Sequence, residues 1–453
     1  MVVKFRIQLS IILTLLFVLV FSAACTSSYK PTSGTVRVSV AADGSQADNR
    51  SKQPSMSVDG RYIAFVSDAT NLVEGDDNEV SDIFVRDMAM GTVTRVSVSS
   101  AGVEGNGASY WPFISSDGRY VTFTSEADNL VDADTNGFGD VFLHDMKTST
   151  TELISVATDG QSANELSFWP SVSEDGRYVA FMSNASDLIS VDINNTWDIF
   201  LRDRKAGTTS LASFAYDHTQ TNSQSEYPMI SANGRYIAFA SDATNIVSDD
   251  TNGYRDVFEY DRVTGKTMRV SLSSDGTQTD NGTQMFALSI SANGKYVAFA
   301  SLATTLVPDD TNAAWDIFVH DSDTGETTRV SVSNGGVQAD QGSYGVSISS
   351  DGRYVAFGSN ATNLVSGDTN EVMDVFVRDR QEGTTRRLST ASNGNQGNGP
   401  SGFTIIAETA IDFAYGPAII SDGSTVVYMS TATNLVEGDT NANQDIFVST
   451  LSP

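Results

Sequence analysis

The residues with the clearest chemical potential are acids and amides in a short segment that occurs seven times. An aspartate, an asparagine two positions on and a second aspartate six positions on form Asp76/Asn78/Asp82, Asp134/Asn136/Asp140, Asp192/Asn194/Asp198, Asp250/Asn252/Asp256, Asp310/Asn312/Asp316, Asp368/Asn370/Asp374 and Asp439/Asn441/Asp445. Oxygen-bearing side chains at alternate places in a tight loop are the donor set of a hard cation such as Ca²⁺. Backbone carbonyls and water would have to complete the shell. The same residues have a second use, because Asp and Asn side chains cap Asx-turns and hairpins with no ion present. Seven identical turns need seven identical caps, so calcium loops and capped turns both stay open.

An EF-hand loop begins with similar spacing, but the glycine at its sixth place and the distant bidentate glutamate are missing here. A second group is aromatic: Tyr110, Trp111, Phe168, Trp169, Tyr227, Phe286, Tyr344 and Tyr415 occupy neighbouring places in six of the copies, while the first copy has Lys52-Gln53-Pro54 there. These rings precede the short first strand of each copy. They are a stacking platform for a sugar or peptide, or else packing between neighbouring units. Catalytic chemistry has little to work with. There are three histidines and one cysteine in the chain. His144 and His320 fall in the third strand where other copies have Arg86, Arg202 and Arg378, which reads as a repeat surface position; His218 stands alone in a loop. No G-x-S-x-G elbow or thiol nucleophile occurs, so no catalytic residues are assigned.

These residues are positioned by a repeat. Its first copy is S-V-D-G-R-Y-I-A-F-V-S-D-A-T-N-L-V-E-G-D-D-N-E-V-S-D-I-F-V-R-D, from Ser57 to Asp87. The turn glycines are Gly60, Gly118, Gly176, Gly234, Gly294, Gly352 and Gly423, spaced 58, 58, 58, 60, 58 and 71 residues apart. Each is followed after 22 residues by the second aspartate of the loop. A constant interior with variable connections defines a supersecondary unit. The unit reads as four strands, exemplified by Pro112–Ser115, Arg119–Ser125, Asp140–Leu143 and a closing V-S-V strand. The expected fold is all-β, a seven-bladed β-propeller of four-stranded blades. Thr35–Val40 matches the closing strands but has no unit before it, and the last unit ends at Thr450 with no closing strand. The N-terminal strand is therefore expected to complete the last blade and close the ring, which removes an exposed sheet edge. The extra length before Gly423 falls in 391–417.

The charge balance is 27 Lys+Arg against 56 Asp+Glu, a net −29. Such a surface disfavours nucleic acid and anionic membrane, which need clustered cations. Hydrophobic residues make up 40%, enough for a core. Residues 1–25 read as an export signal: Lys4 and Arg6 precede the apolar stretch Ile11–Phe21, and Ser22-Ala23-Ala24-Cys25 follows. The end resembles a bacterial lipoprotein signal, which implies that Cys25 carries the lipid and that membrane contact is through this anchor alone. Cleavage after Ala24 would instead release a secreted or periplasmic chain. Residues 26–33 read as a tether and 34–453 as the propeller.

The motif Ser349-Ser350-Asp351-Gly352-Arg353-Tyr354-Val355-Ala356-Phe357-Gly358-Ser359, followed by Asp374-Val375-Phe376-Val377-Arg378-Asp379, resembles the WD40-like (PD40) repeats of TolB- and tricorn-type β-propellers. TolB carries an additional N-terminal α/β domain, and no such domain is found here, so the likeness is to a propeller-only lipoprotein. The resemblance implies an exported, lipid-anchored, monomeric module of the cell envelope that binds a protein, peptide or glycan at a loop face or channel mouth, stabilised by Ca²⁺ if the loops hold it. Two alternatives stand beside it: a glycan-active hydrolase or lyase at the channel mouth, and a structural envelope protein without a ligand. Related oligogalacturonate lyases use clustered histidines on a metal, and this sequence has no such cluster.

Overall fold

The computed structural model describes Tyr29, residues 33–402 and residues 416–451. Cys25, Tyr415 and the side chain of Phe286 lie outside the described residues. Each copy of the repeat forms one antiparallel four-stranded sheet, and there are seven sheets. After β1 (Gly34–Arg37), blade 1 consists of β2 (Ser51–Met56), β3 (Tyr62–Ser67), β4 (Asp82–Asp87) and β5 (Thr92–Arg95). Blades 2 to 6 repeat this order, and the first strands of successive blades touch one another around the ring. They therefore line its axis.

The middle strands are apolar on both faces because each blade is sandwiched between two others. Ile63, Ala64, Phe65 and Val66 are fully buried, and Phe65 stacks on Phe84 with centroids 5.9 Å apart. The same pair recurs as Phe123–Phe142 and ends in blade 7 as Tyr428–Phe447. Blade 1 and blade 2 share one core, in which Val66, Ile83 and Val96 meet Ile114, Val121 and Phe123.

The S-x-D-G-R-Y motif is a device for joining blades. Arg119 binds Asp145 with two hydrogen bonds of 2.9 and 2.6 Å and stacks over Tyr120 at 4.6 Å. The Tyr120 ring then lies on the turn glycine of the next blade: a Cβ on Gly176 would sit 2.4 Å from it. Gly176 also has φ +68°. Gly176→Ala is thus expected to cost about 2–5 kcal/mol, the sum of left-handed strain and a clash with packed atoms. Gly160→Ala is the control. Gly160 has φ +89° but nothing within 4 Å, so only the strain of about 1–2 kcal/mol should appear on urea denaturation. Equal losses would remove the packing role of the turn.

The ring closes as expected. β1 pairs antiparallel with the last strand, Asp445–Thr450, from Gly34↔Thr450 to Arg37↔Phe447. Three boundaries are corrected. The closing strands stop before V-S-V: β1 ends at Arg37, not Val40, and β5 ends at Arg95. The cause is the central serine. Ser97 turns its hydroxyl inward, donates to Asp82 Oδ1 and accepts from the Ile83 amide, which replaces the ladder. The first strand of blade 2 runs Ser109–Ile114, so Tyr110 and Trp111 lie inside it rather than before it. The third strand extends to Asp145. In blade 7 the joining device is gone: Ser424, Thr425 and Thr450 stand where arginine (Lys295 in blade 5), tyrosine and aspartate stand elsewhere. Half-buried Tyr29 lies beside Asp59 and Asp87 of blade 1, and burial and these carboxylates push its hydroxyl pKa up.

Candidate functional site

The acidic loops connect the second and third strands. In blade 1, Asn78 donates from Nδ2 to Asp82 Oδ2 at 2.9 Å and to the Gly105 carbonyl at 3.0 Å, while its Oδ1 accepts the Val80 amide at 3.0 Å. The asparagine is thus an Asx cap that also holds the aspartate. The other blades repeat the bond. Asn136, Asn194, Asn252, Asn312, Asn370 and Asn441 donate from Nδ2 to Asp140, Asp198, Asp256, Asp316, Asp374 and Asp445 respectively, at 2.6 to 3.1 Å. Each of these amides also donates to a backbone carbonyl 27 residues on, or in blade 7 to that of Ala47.

These bonds are the ones that a capped turn makes. Asn194, Asn252, Asn312, Asn370 and Asn441 turn N–H donors toward the loop aspartates, and a donor hydrogen cannot ligate a cation. Asn252, Asn312 and Asn441 also accept a backbone amide on Oδ1, as Asn78 and Asn136 do, and so cap their turns, whereas Oδ1 of Asn194 and of Asn370 has no hydrogen-bond partner. Asp256 is filled as well. Its Oδ1 accepts from Ser271 and Thr279 and its Oδ2 from Asn252 and Arg269, which uses the four lone-pair sites of a carboxylate.

The aspartates meet a cation that the sequence reading missed. The Arg95 guanidinium sits 3.2 Å from Asp76 and 3.6 Å from Asp82, and the same nitrogen also pairs with Glu104. Arg269 takes the same place against Asp250 and Asp256, Arg329 against Asp310 and Asp316, and Arg387 against Asp368 and Asp374. In blade 7 it is Arg37 from β1, 2.8 Å from Asp439 and 3.3 Å from Asp445. Four of these arginines follow the second aspartate by 13 residues, a spacing as regular as any in the repeat. Blades 2 and 3 have Leu153 and Leu211 at that position. Burial dominates the local electrostatics, pushing Asp76 up to about 7 despite the pull of Arg95.

The aromatic residues converge along the axis. Every described first strand from blade 1 to blade 6 has a bulge. In blades 1 to 4 the bulge holds Gln53, Trp111, Trp169 and Tyr227 at φ of 54°, 52°, 57° and 59°. Each precedes a proline, which further disfavours this region. Non-glycine residues held there cost about 1–3 kcal/mol apiece, and such strain clusters at binding and active sites. The Trp111 amide is tied to Gln53 Oε1 at 2.9 Å. Trp111 stacks on Trp169 at 4.6 Å, Trp169 meets Tyr227 edge-on at 4.9 Å, and Phe168 stacks on Trp197 at 5.7 Å.

The rings divide by exposure. Trp111, Trp169 and Tyr227 are buried and pack against one another between blades. Tyr110, Phe168 and Tyr344 are half-buried, and half-buried Trp197 extends that surface. Polar groups adjoin it. Lys52 places its ammonium 5.7 Å over the Tyr110 ring. Buried Arg255 bridges Glu226 at 2.8 Å and Asp242 at 2.7 Å. Trp197 and Arg255 occupy the slot just before the invariant aspartate, which reads Ser81, Gly139, Trp197, Arg255, Trp315, Met373 and Gln444 around the ring. That variation inside a fixed repeat was the available signal.

His144 and His320 are corrected from surface to buried, at 3% and 5% exposure. Their strand position faces the preceding blade. Nδ1 of His144 bonds Thr151 Oγ1 at 2.9 Å, and Thr151 in turn donates to the Val98 carbonyl of blade 1. Burial holds both imidazoles below their ordinary pKa. Among the described residues the one cluster of three or more metal-type side chains is Asp76, Asp82 and Glu104, the set that surrounds Arg95.

No family model matches the chain, and no curated protein does. Solved structures do. The β-propeller domain of the Trilobed protease from Pyrococcus furiosus, described as having an open velcro topology, aligns with TM-score 0.52 at 12% identity, over 88% of this chain and 95% of that one. Oligogalacturonate lyase from Vibrio parahaemolyticus aligns with TM-score 0.51 at 11% identity, over 93% of this chain and 99% of its own. TolB from Acinetobacter baumannii aligns with TM-score 0.39 at 16% identity, over 75% of this chain; the match spans 63% of the length of that TolB. At these identities the likenesses to the Trilobed protease domain and the lyase establish a fold and nothing more: a seven-bladed β-propeller.

Proposed function

We propose that this chain is an exported binding module that takes a protein, peptide or glycan ligand on the axial aromatic surface of blades 1 to 4. The observation that carries the reading is the run of four left-handed, pre-proline bulge residues in consecutive blades. Strain of this kind is kept where the backbone must present something, and here the buried bulge residues back the half-buried rings of Tyr110, Phe168 and Trp197, beside Lys52 and the Glu226–Arg255 pair. Flat, half-buried rings with a few fixed polar groups suit sugar faces and peptide side chains. The export signal and the lipid on Cys25 belong to the same proposal, and they would hold the ring at the cell envelope.

The test uses the chain's own fluorophores. Trp111, Trp169 and Trp197 belong to this aromatic cluster, so tryptophan emission reports on it. Titration with panels of soluble oligosaccharides and peptides should find a ligand that shifts the emission. Phe168→Ala combined with Trp197→Ala should weaken that ligand roughly 30-fold, the loss expected for aromatic hot-spot residues. A ligand that binds the double variant at full strength overturns the reading.

A further inference from the structure

The seven loops are not electrostatically equal, and the unequal one points to a ligand. Five blades place a guanidinium between the two loop aspartates. Their first aspartate aims an oxygen at it from 2.8 to 3.2 Å. Blade 3 has Leu211 instead, but replaces the lost donors. Gln220 Nε2 donates to Asp192 Oδ1 at 2.8 Å, and Thr221 Oγ1 to Asp198 Oδ1 at 3.1 Å. Asp192 is also only half-buried.

Blade 2 has neither the arginine nor the blade 3 replacements. Leu153 stands for the arginine, and Ser162 and Ala163 stand where blade 3 has Gln220 and Thr221. Asp134 is 6% exposed, yet neither of its carboxylate oxygens has a hydrogen-bond partner. The Asn136 amide and the Ser162 hydroxyl lie near enough to lower its pKa without reaching hydrogen-bond geometry. Asp140 is fully buried beside it. Asp140 accepts from Ser155 Oγ at 2.5 Å and from Asn136 Nδ2 at 2.6 Å, which leaves each oxygen a lone pair. Two buried carboxylates with no counter-charge are costly, and removal of the cation from such a cluster is strongly destabilising.

We propose that the blade 2 loop binds one hard divalent cation of the Ca²⁺ class through Asp134 and Asp140, in the place that arginine fills in five sister blades. The donors are all oxygen: the two carboxylates, with the Ser162 hydroxyl near Asp134. That set favours a hard ion over zinc, which prefers nitrogen and sulfur. An irregular donor set completed by water suits Ca²⁺ better than Mg²⁺, which demands a near-ideal octahedron. The reading concerns one loop; in the other six the first aspartate faces an arginine or, in blade 3, Gln220.

Calorimetric titration of the EDTA-dialysed full chain with CaCl₂ tests it. One saturable step of about one equivalent per chain is expected, within the roughly 10⁻⁴–10⁻³ M range of extracellular sites or tighter. Leu153→Arg should abolish the step while the chain melts in EDTA at or above the wild-type temperature, because it installs the cation of the sister blades. Asp134→Asn should abolish it too, and it decides the matter if Leu153→Arg does not fold. The Phe168→Ala/Trp197→Ala variant should keep the step, which separates this site from the axial one. No saturable step up to about 10 mM, ten times the weak end of that range, overturns the proposal. So does a step that survives Leu153→Arg or Asp134→Asn unchanged.

Discussion

Arg37→Ala is expected to destabilise the ring by about 3–5 kcal/mol, a large share of the roughly 5–15 kcal/mol that holds a folded domain together. Arg37 is the residue of β1 that enters the acidic loop of blade 7. Its side chain is 6% exposed, and its partners Asp439 and Asp445 are 2% and 0% exposed. Truncation leaves two buried carboxylates without a cation, and their desolvation is then uncompensated. The guanidinium also lies 5.8 Å over the Phe447 ring, so packing is lost as well.

The effect should differ in kind from that of Arg329→Ala, which breaks the same cluster in blade 5. Arg329 belongs to a strand continuous with its own blade. Arg37 sits in a strand tied to the far end of the chain by four ladder pairs, the Ser39–Asp445 bond of 2.6 Å and the Thr35–Ser449 contact of 2.8 Å. Loosening it opens the ring. Hydrogen exchange in Arg37→Ala should therefore rise first in 34–38 and 445–450, while in Arg329→Ala it should rise only near blade 5. A loss below about 1 kcal/mol, the value of an exposed ion pair, would show that the loop tolerates a bare acid pair. The same result would weaken the case for a cation in blade 2.

Much of this architecture is legible in the sequence because repetition supplies the comparison that one copy cannot. The constant 22-residue step from Gly60 to Asp82 marks the hairpin, and the orphan T-V-R-V-S-V at the N-terminus marks the closure. What stayed hidden depends on which neighbour a side chain meets. Arg95 sits in an outer strand and looks like a solvated charge; only folding brings it 3.2 Å from Asp76. The loop asparagines were visible as well, but spacing does not say which end of the amide faces Asp256 and its counterparts. His144 stands where other copies carry Arg86, Arg202 and Arg378, yet that face abuts the preceding blade. The bulges were unreadable for another reason. Trp111-Pro112 reads as extended backbone, whereas the folded chain holds Trp111 at φ of 52°. Exposure separates Phe168 from Trp169 although they are adjacent in sequence.

The second large effect is a gain. Glu259→Val should stabilise the chain on the order of 3 kcal/mol at pH 8, and much less at pH 5. Glu259 lies in the third strand of blade 4, at a place where the other blades have Val85, Leu143, Leu201, Val319, Val377 and Val448. It is 3% exposed and accepts one hydrogen bond, 2.8 Å from Ser322 Oγ of blade 5. Burial pushes its carboxyl up to about 7, and the Asp261 and Asp323 carboxylates add to the rise while Ser322 opposes it. Lys295, the nearby cation, is engaged by Asp321 at 3.4 Å and Asp323 at 3.3 Å. The folded state therefore holds this proton to a higher pH than the unfolded chain does. The stabilisation tied to that proton is complete below the ordinary glutamate pKa and is lost as pH rises through about 7. Valine carries no such penalty. Other buried acids, such as Asp140 at about 7, slope the same way, and Arg119-bound Asp145 at about 2 slopes oppositely at low pH. The diagnostic is thus the difference between variant and wild type, read by urea denaturation at pH 5, 6.5 and 8. A difference that grows with pH assigns the titration to Glu259, and one constant across the three pH values would mean that the carboxyl is already ionised in the folded chain.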